Sequence, residues 1–421
     1  MALASATVWE VRTAGNDTNG GGFVTGASGS DWSQQDAART GADVTDISVT
    51  DAVAAGTTTI TSATANFDTT IVGNIVYFEG GTGAIAAVWR QVTARASSTS
   101  ITIDAAIASS TGMTMNIGGA LASPGMAGAS AVSGNTIYIK AGTYTITSAS
   151  TNISGGCFAA TTSKIIEGYQ TTRGDLGTKP LLQASGISTF TLVSCTGAAS
   201  SVKNIRADGA GLTSSKAFTI REMCFNCVAE NCTNGAFTEN IRSTWNRCVA
   251  TGCSTVAPFL TGMFIDCIAH DNTVTGFSMT SNDIVLRCIS DSNSGASSDG
   301  FSLSLDGGVI SNCVAYNNGR DGIRISDDGI TVENCIAEGN AGTGILLNGA
   351  IDNALLIHNA TYNNTTAGIN VGTGKGVLNL NPVAGSASFF TDAAGADFTL
   401  NNTAGGGAAA RGAGYPGTMP S

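Results

Sequence analysis

The chemistry available to this chain depends on carboxyl groups that recur at one position of a sequence repeat. Six Cys residues and one Asn mark the repeat, at intervals of 19 to 25 residues: Cys227, Cys248, Cys267, Cys288, Cys313, Cys335 and Asn359. Three residues after each marker stand Glu230, Thr251, His270, Asp291, Tyr316, Glu338 and Tyr362. Glycoside hydrolysis uses two carboxyl groups about 5 to 10 Å apart. Asp291 and Glu338 are therefore the candidate catalytic pair, with His270 and Tyr316 beside them.

The distance between these side chains would be set by how the repeats stack. If each repeat is one coil of a solenoid, equivalent residues lie about 4.8 Å apart. Asp291 and Glu338 would then be roughly 9 to 10 Å apart, with Tyr316 between them. The other interpretation is a solvated turn at which any polar residue serves, and this is the one that we favour. If the protein were an enzyme, it would be a polysaccharide hydrolase or lyase, but the sequence favours no catalytic activity.

Other arrangements of catalytic or ligand residues have little support. The chain has 2 His, which leaves little room for a His metal site or a Ser-His-Asp triad. Asp321, Asp327, Asp328 and Glu333 form a second acidic group that fits solvated bends equally well. The triplet at 173–175 reads RGD, which is an integrin-binding motif. A match of only three residues occurs too often by chance to indicate integrin binding. We predict no cofactor and no metal site.

The 11 Cys residues are predicted to be reduced and buried. Their number is odd and six share the marker position, which suits a small buried residue better than a disulfide framework. Cys224 and Cys227 form a CxxC, but Cys227 and Cys248 are equivalent positions of neighbouring repeats. An interior stack of free thiols is the favoured interpretation, and a zinc site is the alternative.

The elements that must position these residues are short strands, read from three apolar columns of the repeat. Three residues before the marker stand Cys224, Trp245, Phe264, Val285, Ile310, Val332 and Leu356. One residue after it stand Val228, Val249, Ile268, Ile289, Val314, Ile336 and Ala360. Ten to thirteen residues after it stand Phe237, Phe259, Phe277, Phe301, Ile323, Ile345 and Ile369. All three columns are predicted to face the core.

Three strands per turn of about 22 residues predict an all-β fold, a single-stranded parallel β-helix with three faces. The position five after the marker holds Cys232, Cys253, Asn272, Asn293, Asn318, Asn340 and Asn364, which predicts an asparagine ladder at a turn. Longer repeats predict loop growth at 294–299 and 349–353. Loops on one side of a solenoid are often where binding occurs.

The segments outside the repeats predict two caps and one insertion. Residues 1–40 are predicted to form an N-terminal cap with a short helix after Asp31, because an open solenoid must cover its first coil. Residues 41–131 carry alternating runs separated by Gly, Asn and Ser, which predict an inserted small β unit or a lateral domain. The β-helix is predicted over 132–372, and a C-terminal cap and tail over 373–421.

Composition excludes several partners. A net charge of −11 and a pI near 4.5 argue against nucleic acid, whose binding depends on Lys and Arg. No apolar run approaches the 18 or so residues of a membrane span, so no membrane association is expected. The start MALASATVWE has neither a basic nor an apolar signal region, and we expect folding in a cytosol.

Three segments resemble bacteriophage and prophage right-handed β-helix proteins of the virion surface. They are VWEVRTAGNDTNGGGF at 8–23, GNTIYIKAGTYTIT at 134–147 and GYQTTRGDLGTKPLL at 168–182. The resemblance extends over 7–40, 134–182 and 202–410. Residues 378–414 resemble the closing segment of such proteins, in which a Pro-containing turn, an Asp-Phe-x-Leu strand and a Gly-rich tail cover the last coil. Asp397, Phe398 and Leu400 carry that match.

The resemblance implies a structural virion protein on the particle surface, a capsid decoration or fibre-like protein without catalytic activity. It also implies a right-handed coil, a homotrimer, contact with other proteins of the capsid or tail, and assembly in the host cytoplasm. A tailspike that binds or depolymerises host surface polysaccharide is the alternative. A bacterial surface adhesin is the second alternative.

Overall fold

β-Strands make up nearly all of the regular structure. The computed structural model describes residues 3–36, 47–147, 163–195, 197–239, 243–280, 282–304, 306–349, 351–372 and 377–412. The predicted fold class, an all-β right-handed parallel β-helix, is confirmed. Only two short α-helices occur in these residues, α1 (Pro124–Ser130) and α2 (Gly407–Gly412). The chain divides into an N-terminal unit, Met1–Gln183 with Leu192–Ile205, and a C-terminal unit, Ala184–Thr191 with Arg206–Ser421.

The strands up to residue 203 are short apart from those of residues 47–117. They are β1 (Thr7–Val11), β2 (Gly22–Val24), β3 (Ile47–Ala54), β4 (Thr59–Thr61), β5 (Ile75–Gly80), β6 (Ile85–Ser97), β7 (Ser100–Ile103), β8 (Ser110–Ile117), β9 (Thr136–Lys140), β10 (Thr143–Ile146), β11 (Ile165–Tyr169), β12 (Leu181–Ala184), β13 (Phe190–Cys195) and β14 (Ser201–Lys203).

A parallel sheet in the N-terminal unit begins with β1, which pairs antiparallel with β2 and parallel with β9. The order continues through β11 to β14. Trp9, Ile137, Ile166 and Val202 are in register on these strands and fully buried. The Trp9 indole N–H donates to Asn135 Oδ1 at 3.0 Å, so the polar edge of this large core side chain is satisfied.

Residues 47–117 form a closed barrel in the order β3-β4-β7-β6-β5-β8. All its pairs are antiparallel. Its core includes Ile60, Phe78, Val92, Ile101 and Met113, which are fully buried. Closure pairs every strand on both sides, so the barrel has no open edge. The barrel lies within the stretch for which the sequence predicts a small inserted β unit.

The short helix predicted after Asp31 is not present in the part of the chain that can be described. Residues 31–33 have no regular structure and residues 34–36 form bends, and the remainder of the predicted cap, residues 37–40, lies outside the described residues. Asp31 Oδ1 instead accepts hydrogen bonds from the backbone and hydroxyl of Ser33, at 3.0 and 2.5 Å. An Asp side chain that binds the backbone two residues on closes a turn, so this segment is a loop.

The strands of the C-terminal unit are mostly three residues long. They are β15 (Arg206–Asp208), β16 (Ser215–Ile220), β17 (Met223–Phe225), β18 (Val228–Glu230), β19 (Phe237–Glu239), β20 (Thr244–Asn246), β21 (Val249–Thr251), β22 (Met263–Ile265), β23 (Ile268–His270), β24 (Phe277–Met279), β25 (Ile284–Leu286), β26 (Ile289–Asp291), β27 (Phe301–Leu303), β28 (Val309–Ser311), β29 (Val314–Tyr316), β30 (Ile323–Ile325), β31 (Ile330–Glu333), β32 (Ile336–Glu338), β33 (Thr343–Leu347), β34 (Ala354–Ile357), β35 (Ala360–Tyr362), β36 (Ala367–Asn370), β37 (Leu378–Leu380), β38 (Val383–Ala384), β39 (Phe390–Asp392) and β40 (Asp397–Leu400).

These strands stack into three parallel sheets, one strand per sheet in each coil. The first sheet has the order β17-β20-β22-β25-β28-β31-β34-β37, and the second runs β15-β18-β21-β23-β26-β29-β32-β35-β38. The third contains β16-β19 and β24-β27-β30-β33-β36, joined through bridges of Phe259 to Phe237 and Phe277. Stacked coils thus place equivalent residues of successive repeats side by side.

Two of the three predicted apolar columns face the core. Every member of the column three before the marker is fully buried on the first sheet. In the third sheet, Phe237, Phe259, Phe277 and Phe301 stack with ring centroids 4.6 to 4.9 Å apart. The Cys markers are buried as well, and the ten Cys of the described residues are free thiols. The predicted interior thiol stack is confirmed.

The prediction that the column one after the marker faces the core was wrong. On each strand of the second sheet the buried middle residue is small: Ala229, Ala250, Ala269, Ser290, Ala315, Ala337 and Thr361. Val228, Val249 and Ile268 lie on the opposite, outer face and are half-buried. Successive side chains of a strand alternate between faces, and the large residues of the other two sheets occupy the interior. Only small residues fit inward from the second sheet.

The predicted asparagine ladder is confirmed. Each side-chain amide donates to the side-chain oxygen of the next, at 2.8 to 3.0 Å, from Asn272 through Asn293, Asn318 and Asn340 to Asn364. Left-handed backbone occurs beside this column, at the residue before the marker and the one four after it, as in Asn226 (φ 53°) and Asn231 (φ 50°). The ladder therefore fixes the turn through side-chain hydrogen bonds.

A glycine column sits where the coils approach most closely, directly before the third apolar column. A Cβ on Gly300 would lie 2.5 Å from the carbonyl oxygen of Gly322, and one on Gly322 would lie 2.6 Å from that of Gly344. Real Cβ atoms are not found so close to backbone oxygen, so side chains are excluded here.

In the described residues, the chain after β38 turns back along the outer face of the second sheet. We call residues 386–411 the C-terminal segment; it contains β39, β40 and most of α2. Its buried residues Phe389, Phe390, Phe398, Leu400 and Ala410 form one cluster with outward residues of β26, β29, β32 and β35. The last strand of the first sheet, β37, is exposed at all three positions. Residues 373–376 and 413–421 of the predicted cap lie outside the described residues, so the cover over the last coil stays a prediction.

Candidate functional site

The candidate catalytic residues form one continuous column on the outer face of the second sheet. His270 is paired in register with Asp291, Asp291 with Tyr316, and Tyr316 with Glu338. Asp291 and Glu338 are therefore two strands apart, at a spacing of about 9 to 10 Å between backbone positions. The sequence prediction of this stacking is confirmed, because the marker residues define the register of every strand.

The C-terminal segment covers the part of this column nearest to Glu338. The ring of Tyr316 contacts Phe398 and Phe390 edge-on, with centroid separations of 5.7 and 6.3 Å. Tyr362 contacts Phe389 in the same way, at 6.4 Å. Edge-to-face contacts at these separations are stabilising. The tyrosines that could have supported a bound sugar are instead used to hold the segment on the sheet.

Glu338 is buried beneath this segment and is 5% exposed. Its Oε2 accepts a hydrogen bond from the backbone N–H of Phe389 at 3.0 Å, and the side chain also bonds Ser388. Burial raises the pKa of Glu338, and these two hydrogen bonds oppose the rise. A raised pKa would suit a general acid, but the carboxyl group is covered and its polar contacts are inside the protein.

The remaining members of the column are half-buried and engage neighbouring residues. Burial raises the pKa of Asp291, against the hydrogen bond that Ser292 Oγ donates to its Oδ1 at 2.8 Å. Burial also raises the pKa of Tyr316. The imidazole Nδ1 of His270 lies 2.9 Å from Asp271 Oδ2, so its closest carboxylate is the adjacent residue and not Asp291.

The column therefore brings together the right residue types without a place for a substrate between them. A hydrolase needs both carboxyl groups to reach one glycosidic bond. Asp291 is accessible in part, whereas Glu338 is held by the backbone of Phe389. In this geometry Glu338 anchors the C-terminal segment, and its covered carboxylate cannot contact a sugar.

A polar cleft of about 520 Å³ lies elsewhere in the C-terminal unit, beside the third sheet. It is lined mainly by Thr and Ser side chains of residues 255–302, together with Asp299 and Arg320. The loop 294–299, predicted from the lengthened repeat after Cys288, forms part of its wall. A second cleft of about 510 Å³ is lined by Asp271, Ser292, Ser294, Asn317, Asn318, Gly319 and Ala341.

Sequence reasoning missed the ion pair in the wall of the first cleft. Asp299 is fully buried, and Arg320 binds both of its carboxylate oxygens at 2.7 and 2.5 Å. Asp321, which the sequence placed at a solvated bend, is 4% exposed, pairs with Arg324 at 3.2 Å and accepts a hydrogen bond from the backbone of Thr343. Asp299 and Asp321 stand two residues before Phe301 and Ile323, at equivalent positions of neighbouring repeats, and this shared position is the signal that could have found them.

The RGD triplet has an internal role in the N-terminal unit. Arg173 donates to Glu10 Oε2 at 2.9 Å and to Asp31 Oδ2 at 2.7 Å, and the Glu10 side chain is fully buried. Asp175 accepts hydrogen bonds from three backbone N–H groups of residues 170–172. These donors lower the pKa of Asp175 to about 2. Arg173 and Asp175 thus close the loop between β11 and β12.

In the residues that the structure describes, no three His, Cys, Asp or Glu side chains converge as a metal site. The Cys224 and Cys227 pair of the CxxC lies in the core, and burial raises the pKa of Cys224. Neither α-helix of the described residues has the length or apolar character that crossing a membrane requires.

Comparison with known proteins finds similarity to β-helices. A family model described as a right handed beta helix region matches residues 240–383. Among solved structures, the ORF18 protein of Geobacillus virus E2 is 14% identical, with a TM-score of 0.42, over 59% of this chain and 53% of that protein. The A-module of mannuronan C-5 epimerase AlgE4 of Azotobacter vinelandii is 14% identical, with a TM-score of 0.35, over 64% and 77%.

Tailspike protein 3 of bacteriophage CBA120 is also similar, at 10% identity and a TM-score of 0.31 over 60% of this chain and 54% of that one. This chain thus spans about half the length of the two viral proteins. No curated protein sequence matches it.

Proposed function

We propose that the protein is a structural component of a bacteriophage particle, exposed on its surface as a capsid decoration or fibre-like protein without catalytic activity. The phage assignment is supported by the resemblance of residues 8–23, 134–147 and 168–182 to phage β-helix proteins. All three segments lie outside the repeats, which unrelated β-helices share. The non-catalytic assignment is supported by the burial of Glu338 beneath the C-terminal segment.

The proposed protein is a homotrimer that contacts other capsid or tail proteins and assembles in the host cytoplasm. Buried free thiols support folding in a reducing compartment, where disulfides do not form. The net charge of −11 agrees with contacts to protein and not to nucleic acid. Short strands with few long loops give a rigid scaffold, which suits a structural part.

Two measurements test this proposal together. Antibody labelling of purified phage particles should place the protein on their surface. The purified protein should release no reducing ends or unsaturated sugars from surface polysaccharides of the bacterium that produces the particle. Absence of the protein from particles, with its presence on the surface of uninfected cells, would instead support the bacterial adhesin.

The alternative, a tailspike that binds or depolymerises host polysaccharide, has one observation in its favour, the polar cleft bordered by loop 294–299. Hydroxyl-rich clefts can hydrogen-bond sugars. Polysaccharide cleavage by the wild type would overturn the non-catalytic proposal. Its loss in the variant Asp291→Ala, with the circular dichroism spectrum unchanged, would assign the cleavage to the outer column of the second sheet and not to this cleft. Binding of polysaccharide without cleavage would support a tailspike that binds host polysaccharide and does not depolymerise it.

A further inference from the structure

Four asparagines of this chain are followed directly by glycine. They are Asn19, Asn234, Asn318 and Asn348. In such a pair the backbone nitrogen of the glycine can attack the side-chain amide carbon of the asparagine, because glycine has no Cβ to obstruct the approach. Asparagine is among the thermolabile residues of proteins. Whether a given pair reacts depends on how firmly the fold holds the two reacting groups.

The first pair is held in an arrangement that opposes this attack. Asn19 is 4% exposed, and its side-chain amide donates to the carbonyl oxygen of Ala120 at 2.8 Å. The backbone N–H of Gly20 donates to the carbonyl oxygen of Gly118 at 3.1 Å. Both reacting groups are therefore engaged in hydrogen bonds that the reaction would have to break.

The pair at Asn318 is held in the same manner by the asparagine ladder. Asn318 is 1% exposed, and its side-chain amide donates to Asn340 Oδ1 at 3.0 Å. The backbone N–H of Gly319 donates to the carbonyl oxygen of Asn293 at 2.7 Å. The attacking nitrogen and the amide under attack are again both occupied, so this pair should be protected as long as the coils stay folded.

The pair at Asn234 is intermediate. Its side chain is half-buried and Gly235 is buried. The backbone N–H of Asn234 donates to Ser215 at 3.0 Å, and that of Ala236 donates to Pro258 at 3.2 Å. The chain is thus tied to neighbouring coils on both sides of the glycine, which restricts the change of backbone angles that attack requires.

The pair formed by Asn348 and Gly349 differs from the other three because both of its residues are exposed. The Asn348 side chain and the Gly349 N–H have no hydrogen-bond partner in the part of the chain that the structure describes. A Cβ on Gly349 would meet no atom within 4 Å, and its φ of 115° is one that glycine adopts readily. This pair alone combines a free amide, a free nitrogen and open space around them.

We propose that Asn348 is a site of spontaneous deamidation, at which the chain modifies itself without an enzyme or a cofactor. The Gly349 nitrogen forms a bond to Cγ of Asn348, and the side-chain nitrogen leaves as ammonia with the proton of the Gly349 N–H. Water then adds to either carbonyl carbon of the resulting succinimide and breaks its bond to the ring nitrogen, which regains a proton. The product is aspartate or isoaspartate, and nothing is oxidised or reduced.

The product changes the bend between the third and the first sheets. Asp327 and Asp328 stand in the equivalent bend of the preceding coil, and Asp328 Oδ1 accepts a hydrogen bond from the backbone of Asp352 at 2.6 Å. A carboxylate at position 348 adds a like charge to this acidic bend, and isoaspartate also adds one methylene to the backbone between β33 and β34. The modification goes beyond the proposed function and is independent of it, since it requires neither a particle nor a ligand.

Peptide mapping by mass spectrometry of the aged full chain tests this assignment. In the folded protein at neutral pH, Asn348 should gain about 1 Da. It should do so roughly tenfold or more faster than Asn19 and Asn318, with Asn234 between them. The rate at Asn348 should be higher at pH 8 than at pH 6, because the attacking nitrogen must lose its proton. Ion-exchange chromatography should show a new acidic species at the position of the variant Asn348→Asp.

Two controls separate the effect of the fold from that of the local sequence. In urea the same full chain loses its hydrogen bonds, so the four pairs should react at similar rates. Asn348→Gln keeps an exposed amide but would need a larger ring, and it should lose both the fast conversion and the acidic species. Conversion of Asn348 in the folded protein no faster than that of Asn318, or slower than that of Asn234, would overturn the assignment. The same ranking in urea as in the folded protein would overturn its structural basis.

Discussion

Glu338 combines features of a catalytic acid with those of a structural anchor. It lies in the same column as Asp291 and has a raised pKa, as a general acid would. Yet its carboxylate accepts a hydrogen bond from the backbone of Phe389 and is removed from solvent. A buried carboxylate costs stability when it is ionised, and the hydrogen bonds offset only part of that cost.

Glu338→Gln should stabilise the protein at neutral pH. Because burial raises the folded-state pKa above its ordinary value of 4.5, the contribution of Glu338 to stability is greatest below that value and is lost as the pH rises through the folded pKa. Glutamine keeps an oxygen for the Phe389 N–H and has no charge to bury. Urea unfolding at pH 7 should give a larger free energy of unfolding for the variant, and the difference should shrink at pH 4.

A variant that is less stable than the wild type at pH 7 would contradict this account of Glu338. It would show that the ionised carboxylate is the favoured partner of residues 388–389, so that its hydrogen bonds outweigh the burial of the charge. Measurement at both pH values separates this outcome from a general packing defect, which would lower stability equally at the two.

At the residue level, the sequence predicted the order of the candidate column but not its accessibility. The Cys markers define the register, so the stacking of Asp291, Tyr316 and Glu338 follows from counting. The group that covers Glu338 belongs to Phe389, 51 residues further along the chain and outside the repeats. Repeat periodicity carries no information about where a non-repeated segment packs.

At the level of elements, the C-terminal segment is held to the second sheet mainly by aromatic and aliphatic contacts. Phe398 is 3% exposed and contacts both Tyr316 and Phe390 edge-on. Outward residues Ile289, Val314 and Ile336 complete the cluster. The coils themselves are held separately, by parallel ladders and the asparagine side-chain ladder. We therefore expect that the segment can open while the coils stay folded.

Phe398→Ala should release the C-terminal segment selectively. Removing a buried phenyl ring costs about 3 kcal/mol, which corresponds to a roughly hundredfold loss of amide exchange protection when the opening is local. Hydrogen exchange followed by mass spectrometry should show this loss in residues 386–411 and little change in β17 to β34. Thr399→Ser, an exposed position of the same strand, is the matched control. Equal loss of protection throughout the coils would mean that segment and coils unfold as one unit.

In a strand of three residues, the hydrophobic pattern does not determine which face points inward. The column one residue after the marker, which was predicted to face the core and does not, illustrates this. Val228 and Glu230 share one face of β18 and Ala229 has the other. An apolar residue beside a small one gives no indication of which faces inward, because Ala is tolerated on both sides. Ala faces inward because Trp245, Phe264 and the stacked Phe residues of the third sheet already fill the interior. That competition for volume is three-dimensional and cannot be read along one strand.

At the scale of the whole molecule, the cysteines couple the core to the redox state of the surroundings. The ten Cys of the described residues are buried free thiols, and the eleventh, Cys157, lies outside those residues. Burial raises the pKa of Cys224 and Cys288, whereas at Cys267 and Cys313 hydrogen bonds from neighbouring thiols and backbone groups outweigh burial and lower the pKa. Protection of these thiols from reagents therefore depends on their burial. Markers on adjacent coils stand about 4.8 Å apart, within the range of Cα–Cα distances that a disulfide spans. In the unfolded chain, oxidation could join any two of these Cys residues.

Thiol titration should therefore separate the folded from the unfolded chain. With a thiol-reactive dye, the native protein should show at most one rapidly reacting group, because the ten Cys of the described residues are all buried. In denaturant without reductant, all 11 Cys should react. Fewer than eleven would reveal disulfides, and several rapid groups in the native state would mean that the coils open on the timescale of labelling. Refolding of the unfolded chain should succeed with reductant and fall several-fold under an oxidant, since a disulfide formed between wrong coils would lock the stack out of register.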